Sequence, residues 1–231
     1  GGAGNICLLD RTGAVIQYDQ TAGINVTFNY LLSGPGFNEY ADLEIDAAGN
    51  FYVLEKTDAR IDKFDASGTF LLSFDGANEG VATDASIDFA VSSTGEVYLL
   101  ASDNQVYYWD LNGTFLSAFA GTYLKRASGI AITDSDDLMV SDEINGLVSF
   151  AGSGTFSGFV GPQKTGSGQF NLPLQTIIDK SGYRFIVDSY NGRIQKFTPS
   201  GFYNSTIGSF GTGTANLNNP MAVAIDDSEY V

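Results

Sequence analysis

The chain has 231 residues, of which 43% are hydrophobic, enough for one domain with a sizeable core. It carries 27 acidic residues against 11 basic ones, a net charge of −16, so its surface repels phosphate backbones and we expect no nucleic acid partner. No apolar run approaches the roughly 20 residues of a membrane helix, so we expect no membrane insertion, and the absence of histidine excludes Ser-His-Asp catalysis and His-based zinc sites.

Short strand-like segments follow one another along the whole chain. Three of them, ICLLD, AVIQY and INVTFNYLL, occupy the N-terminal segment. Sets of four similar segments then repeat over residues of about 37–76, 77–121, 122–161 and 162–211. Within each set, an aromatic residue followed closely by Gly marks a tight turn, as in FDASG (64–68) and FTPSG (197–201). Four short strands at a period of about 41 to 47 residues are typical of the blades of a β-propeller.

The two ends of the chain supply the parts of one further blade. Residues 5–34 hold three strands without a first strand, whereas residues 212–231 hold a first strand, MAVAIDDSEYV, without the other three. We therefore expect a single all-β domain over residues 1–231. It would be a five-bladed propeller, closed by one C-terminal strand that joins three N-terminal strands. A six-bladed propeller, or a chain that is part of a larger ring, is the alternative.

The most regular repeat lies within residues 162–201. Its segment GSGQFNLPLQTIIDKSGYRFIVDSYNGRIQKFTPSG combines a G-x-F-x-x-P opening, a Val-Asp pair in strand two and an N-x-R-I-Q-x-F third strand. This pattern resembles the NHL repeat, and NNPMAVAIDDSEYV resembles the opening of another copy, while the middle repeats are degenerate. The resemblance implies a propeller. The zinc-dependent NHL-like lyase activity cannot be carried over, because its zinc is held by histidines that this chain lacks.

Acidic residues of the first strands are the candidate metal ligands. Aligning these strands places Asp42, Asp88 and Gln175 in one column. If that column faces the central channel, two carboxylates and an amide could hold Ca²⁺, which prefers oxygen ligands. The alternative is a solvated channel mouth, and we expect no other cofactor. Glu44 is the one nearby carboxylate that could act as a further acid in hydrolysis, but its column otherwise holds apolar residues.

Three N-x-S/T sequons fall at or just before a fourth strand, at Asn25, Asn112 and Asn204. A glycan at the rim of a propeller would not disturb packing, so these are the candidate glycosylation sites of a secreted protein. The aromatic run Tyr107–Trp109 is open to two interpretations, core packing or a platform for stacking sugars.

These features predict a non-catalytic binding or structural module of an extracellular or cell-surface protein. Only 16% of the residues are charged, and a surface otherwise built from neutral polar residues suits that location. The module would act through protein–protein contacts or self-assembly, with a glycan as a further partner. The alternatives are a lectin-like carbohydrate-binding propeller and a calcium-assisted hydrolase or lactonase that uses the channel carboxylates.

Overall fold

The computed structural model describes residues 6–9, 14–19, 23–29, 40–46, 48–133, 135–161 and 166–225. The chain divides into two compact units, which we describe separately. Unit 1 comprises Gly1–Leu99 and Tyr107–Ser117, and unit 2 comprises Leu100–Val106 and Ala118–Val231. Short 3-10 turns occupy Ala77–Glu79 and Ser189–Asn191. In the described ranges, no helix has the length and apolar character that crossing a bilayer requires.

The remaining regular structure of the described residues consists of strands, which pair in sequence order within five sheets. The N-terminal sheet contains β1 (Ile6–Leu9), β2 (Ala14–Asp19) and β3 (Gly23–Asn29). The first four-stranded sheet contains β4 (Tyr40–Ile45), β5 (Phe51–Glu55), β6 (Arg60–Phe64) and β7 (Phe70–Asp75). The second contains β8 (Ser86–Val91), β9 (Val97–Ala101), β10 (Val106–Trp109) and β11 (Phe115–Phe119). The third contains β12 (Ala127–Ile132), β13 (Leu138–Asp142), β14 (Gly146–Phe150) and β15 (Phe156–Val160). The fourth contains β16 (Pro173–Ile178), β17 (Arg184–Asp188), β18 (Arg193–Phe197) and β19 (Tyr203–Ile207).

The third and fourth strands of each four-stranded sheet are joined by the same tight turn. In every copy, a glycine N–H donates at 2.8–3.0 Å to the carbonyl three residues earlier. These glycines are Gly68, Gly113, Gly154 and Gly201. Each has a φ of 82–85°, a left-handed backbone that glycine adopts without a Cβ penalty. The aromatic-to-glycine pattern in the sequence therefore corresponds to a hydrogen-bonded turn in each of these four sheets.

The second strands form the core. Every residue of β5, β9 and β13 is buried, as expected for strands that are covered on both faces. One cluster of unit 1 contains Tyr40, Phe51, Val53 and Phe64. Two clusters of unit 2 contain Met139, Leu147, Phe170, Ile186 and Phe197, and Phe185, Val187 and Ile194.

A buried carboxylate ends the second strand in three of the four-stranded sheets. These residues, Glu55, Asp142 and Asp188, are fully buried. Each accepts hydrogen bonds from backbone N–H groups of an adjoining turn or loop; Asp142 alone receives four, from residues 125, 126, 144 and 145. Because buried carboxylates need such partners, they hold the neighbouring loops in place. The second sheet has Ala101 at this position.

Four-stranded sheets with strands in sequence order are the blades of a β-propeller, and the predicted fold class is confirmed. In unit 1 the first strand β4 contacts both β1 and β8, and in unit 2 β12 contacts β16. The blade boundaries and the closing strand stay predictions. Residues 226–231 of that strand lie outside the described residues, and residues 221–225 are assigned to no strand.

Candidate functional site

The candidate site lies on the first strands, and β4, β12 and β16 are bulged there. The pairing register shifts immediately before Asp42 in β4, across Gln175 in β16 and immediately before Gly129 in β12. A bulge adds a residue to one strand and redirects the side chains beside it, which is why bulges are frequent at functional sites. The column predicted from the sequence thus coincides with a local irregularity that recurs from sheet to sheet.

Asp42 and Asp88 adopt the same arrangement on equivalent strands of unit 1. The Oδ1 atom of Asp42 accepts a hydrogen bond from the N–H of Leu43 at 2.8 Å, and that of Asp88 accepts one from Phe89 at 2.9 Å. Both side chains are partly buried. The two carboxylates are therefore oriented alike by their own strands.

Gln175, in unit 2, has a different environment. Its Oε1 atom accepts a hydrogen bond from the N–H of Val223 at 2.8 Å. Val223 and Ile225 pack against the cluster around Phe185, so Gln175 anchors this segment to β16. One lone pair of this oxygen is thus engaged by Val223, which leaves one for any further ligand. Among the described residues, no group of three or more His, Cys, Asp or Glu side chains is placed to hold a metal, and calcium binding by Asp42, Asp88 and Gln175 stays a prediction.

Glu44, on the first strand β4, is a carboxyl group with a strongly perturbed pKa. It is partly buried on β4, at a position where the equivalent residues, Ala90, Ala131 and Ile177, are apolar. Loss of hydration raises the pKa of Glu44 to about 8, and the negative charge of Asp42 raises it further in the same direction. A carboxyl group that keeps its proton at neutral pH next to a second carboxyl group is an arrangement that acid–base chemistry can use.

Replacing Glu44 by Gln should remove a pH dependence from the stability of the chain. The pKa of Glu44 is about 8 in the folded state against an ordinary value of 4.5, so the folded state keeps a proton that the unfolded state releases. The contribution of Glu44 is fully present below the lower value and is lost as the pH rises through the higher one. Near pH 8 we expect Glu44→Gln to be more stable than the wild type by on the order of 1–3 kcal/mol, because the side chain is only partly buried.

Urea unfolding at several pH values between those two limits measures this difference. The gap between Glu44→Gln and the wild type should widen steadily as the pH rises. Glu79→Gln, which neutralises an exposed carboxylate of the same unit, serves as the control. If the free energies of unfolding of Glu44→Gln and the wild type change with pH in parallel, Glu44 does not keep its proton in the folded state at neutral pH.

The aromatic run on β10 belongs mainly to the core. Tyr107 and Trp109 are buried, and Trp109 packs edge-to-face on Phe115 with ring centroids 5.6 Å apart. Tyr108 stacks on Tyr98 at 4.6 Å, and its hydroxyl donates to Glu96 at 2.9 Å. Core packing, rather than a sugar platform, accounts for this run.

Two of the three predicted glycosylation sites are exposed in the described part of the chain. Asn112 and Asn204 are exposed, in the β10–β11 turn and on β19 respectively. Asn25 lies on β3, but its side chain is outside the described residues. Asn25 and Asn204 each occupy the extra residue of a bulge in the last strand of their sheet. Glycosylation of Asn25, Asn112 and Asn204 stays a prediction.

Arg184 is a candidate binding residue that the sequence analysis did not single out. It starts β17, where the equivalent residues of the other three four-stranded sheets are Phe51, Val97 and Leu138, all in the core. Arg184 instead lines a pocket of about 400 Å³ in unit 2. An alignment of the second strands of the four sheets would have revealed Arg184, because it is the one arginine in a column of apolar residues.

The fold and its bulged first strands define a β-propeller protein. No family model and no curated protein matches the chain. Its fold is similar to that of a streptogramin B lyase, with a TM-score of 0.69 and 14% identity, covering 89% of this chain and 65% of that one. It is also similar to virginiamycin B lyase from Staphylococcus aureus (TM-score 0.63, 15% identity, 86% and 67% covered) and to a chain in a nidogen/laminin complex (0.67, 16%, 86% and 75%). At these identities the likeness shows the fold alone, and the chain spans 65% of the length of the streptogramin B lyase chain.

The comparisons correct one expectation. The expectation from the sequence that the protein is not an enzyme is wrong, since two of the solved structures that share the fold are lyases. The absence of histidine had excluded particular mechanisms, but a propeller offers other side chains for catalysis. Binding and catalysis are both compatible with this fold.

Proposed function

We propose that the chain is a binding propeller that contacts another protein through the fourth strands of unit 1. The observation that carries the proposal is the exposure of two leucines, Leu71 on β7 and Leu116 on β11, which are 47% and 49% exposed. Clusters of exposed apolar side chains on a soluble domain commonly mark sites of protein interaction. The similar chain in a nidogen/laminin complex is a propeller found with a protein partner, which supports the same kind of role here.

The position of these leucines argues against a purely structural role. Leu71 is the extra residue of a bulge in the last strand of its sheet, and the corresponding bulge residues of the third and fourth sheets are Ser157 and Asn204. Leu116 aligns with them in the second sheet. A polar residue is therefore compatible with the fold at this position, so the structure of the sheet does not require leucine.

Two further apolar side chains of the same unit are exposed. Phe70 is 39% exposed beside Leu71, and Leu111, in the β10–β11 turn, is 48% exposed. That turn packs against β7, because a Cβ atom on Gly113 would lie 3.2 Å from the carbonyl oxygen of Ser73. We call Phe70, Leu71, Leu111 and Leu116 the outer patch. Phe and Leu anchors that are removed from water on binding supply most of the affinity of such a contact.

Replacing the two leucines by the polar residues of the equivalent positions tests the proposal. The tagged wild type and a tagged Leu71→Ser/Leu116→Asn variant would each be incubated with an extract of the native source and recovered. The amount of partner protein recovered with the variant should be at least about tenfold lower than with the wild type. The melting temperature of the variant should stay close to that of the wild type. Ile144→Ser, which removes an exposed aliphatic side chain of unit 2, is the matched control and should retain the partner. Equal retention by the double variant would overturn the proposal.

We also infer that the repeats are of the NHL type. In the fourth sheet, the side chains of Asn191, Arg193 and Gln195 all donate to Asp188. The residues of the N-x-R-I-Q-x-F motif therefore act together in a single hydrogen-bond network, which gives the motif a physical reason. An extracellular or cell-surface location, glycan attachment at the three sequons and calcium binding remain part of the proposal and rest on the sequence.

A catalytic role is the second candidate. Glu44 favours it, because a carboxyl group with a pKa of about 8 beside Asp42 could donate or accept a proton at neutral pH. The reaction class would be hydrolysis of an ester or lactone. The Glu44→Gln variant described above serves here as well, since any such activity of the wild type should be lost in it.

A further inference from the structure

We propose that the pocket around Arg184 binds a small monocarboxylate of about hexose size, such as a hexuronic acid. The pocket has a volume of about 400 Å³, within the range of small-molecule sites. It lies between β14 and β15 on one side and Arg184 with the β18–β19 turn on the other, all within unit 2. This site is separate from the outer patch and does not depend on the proposed protein contact.

The pocket exists because the third sheet has small residues where the first sheet has large ones. Ser149 pairs with Gly158 across β14 and β15, whereas the equivalent pair in the first sheet is Lys63 with Leu72. Leu72 fills the corresponding space there, since its Cδ1 atom lies 3.4 Å from the place of a Cβ atom on Gly113. A Cβ atom on Gly158 would meet nothing within 4 Å. The opening is thus a local departure from the repeat.

Arg184 places a positive charge at the wall of this opening. Its Nη2 atom donates to the carbonyl oxygen of Pro199 at 2.9 Å, which fixes the plane of the guanidinium group. The Nε atom is buried and has no hydrogen-bond partner among the described residues. Within the same residues, no carboxylate lies at ion-pair distance from the guanidinium; Asp137 acts on it only from farther away. Loss of hydration lowers the pKa of Arg184, so an anion bound beside it would restore a favourable interaction.

The balance of charge indicates a carboxylate as the ligand. Among the described residues, a single guanidinium and no acidic side chain line the pocket. One cation matches a monoanion, whereas a phosphate dianion would add an excess negative charge to a chain whose net charge is already −16. Arginine also binds carboxylates with directional hydrogen bonds.

The other lining groups suit a hydroxylated ring. Ser149, Ser157 and Ser200 line the pocket, and each hydroxyl can both donate and accept. Phe159, which is 57% exposed, offers an aromatic surface against which the apolar face of a sugar can pack. A carboxylate, several hydroxyls and one apolar face together describe a hexuronic acid.

Calorimetric titration with sodium D-glucuronate tests the assignment, with D-glucose and inorganic phosphate as comparison ligands. We expect glucuronate to bind with a Kd of about 1 mM or tighter, and D-glucose to bind at least about tenfold more weakly, because it lacks the carboxylate. Arg184→Leu restores the apolar residue of the third sheet and should reduce affinity at least about tenfold. Arg126→Leu, which removes an exposed arginine elsewhere in unit 2, is matched in charge and should bind as the wild type does.

Ser149→Tyr provides a second test that leaves Arg184 unchanged. The second sheet has Tyr108 at this position, so a tyrosine is compatible with the strand, and its ring should fill the pocket and abolish binding. The proposal is overturned if glucuronate does not bind the wild type at about 50 mM, if Arg184→Leu or Ser149→Tyr binds it as well as the wild type, or if phosphate binds more tightly than glucuronate.

Discussion

Replacing Asp188 by Ala is expected to lower the free energy of unfolding by about 3–5 kcal/mol, the usual cost of leaving a buried charge without its partner. The side chain of Asp188 is fully buried. Its Oδ2 atom accepts hydrogen bonds from Arg193 Nε at 2.7 Å and from Gln195 Nε2 at 2.9 Å, and its Oδ1 atom accepts one from the N–H of Asn171 at 2.7 Å. The alanine variant loses all of these at once, and Arg193, with 13% of its side chain exposed, keeps its charge.

Urea unfolding at neutral pH measures the effect. Asp188→Asn should cause an intermediate loss, because the amide keeps the size of the carboxylate but neither its charge nor its full capacity to accept hydrogen bonds. Asp65→Ala is the matched control. Asp65 accepts N–H groups of a turn in the same manner, from Ser67 and Thr69, but it is only partly buried, so its replacement should cost clearly less. A loss below about 1 kcal/mol in Asp188→Ala would contradict the role of this network.

Gly146→Ala is expected to be the second severe substitution, with a loss of about 3–5 kcal/mol. Gly146 has a φ of +83°, which an alanine adopts only with strain. In addition, the new Cβ atom would lie 2.0 Å from the carbonyl oxygen of Gly161 and 3.2 Å from Cδ2 of Phe170. Phe170 is fully buried in the core of unit 2, so neither neighbour can move without disturbing the packing.

Gly80→Ala separates the two causes. Gly80 has a φ of +93°, but a Cβ atom there would meet nothing within 4 Å. Its replacement should therefore show only the cost of the backbone conformation, about 1 kcal/mol. Thermal and urea unfolding of both variants give the comparison. Equal losses in Gly146→Ala and Gly80→Ala would mean that the close approach of Gly161 carries no cost.

The repeated elements of the fold could be predicted from the sequence because they depend on local chemistry. The glycine turns need only a left-handed backbone, and the buried second strands need only apolar residues in succession. The calcium hypothesis rested on an alignment of the repeats, and such an alignment does not show which group forms a hydrogen bond with Gln175. That partner is the N–H of Val223, 48 residues further along the chain, and no periodicity within one repeat reports such a contact.

The positions at which one repeat differs from the other repeats could not be interpreted in the same way. Glu44 and Arg184 each replace an apolar residue of their column, and the sequence shows the replacement. Its consequence depends on the surroundings, since burial raises the pKa of Glu44 while Arg184 lines an open pocket. Two charged replacements of apolar residues thus produce different features, a protonated carboxyl group and a cation at the wall of a pocket, and only the packing of neighbouring strands decides which.

The most direct test of the proposed function is site-specific photo-crosslinking from the outer patch. A photoreactive amino acid would replace Leu116 in one variant and Ser157, the corresponding residue of the third sheet, in another. In the native source, the account predicts a discrete crosslinked protein from position 116 that is lost when excess unlabelled wild type competes, and no such product from position 157. Identical crosslinking from both positions, or none from position 116, would contradict it.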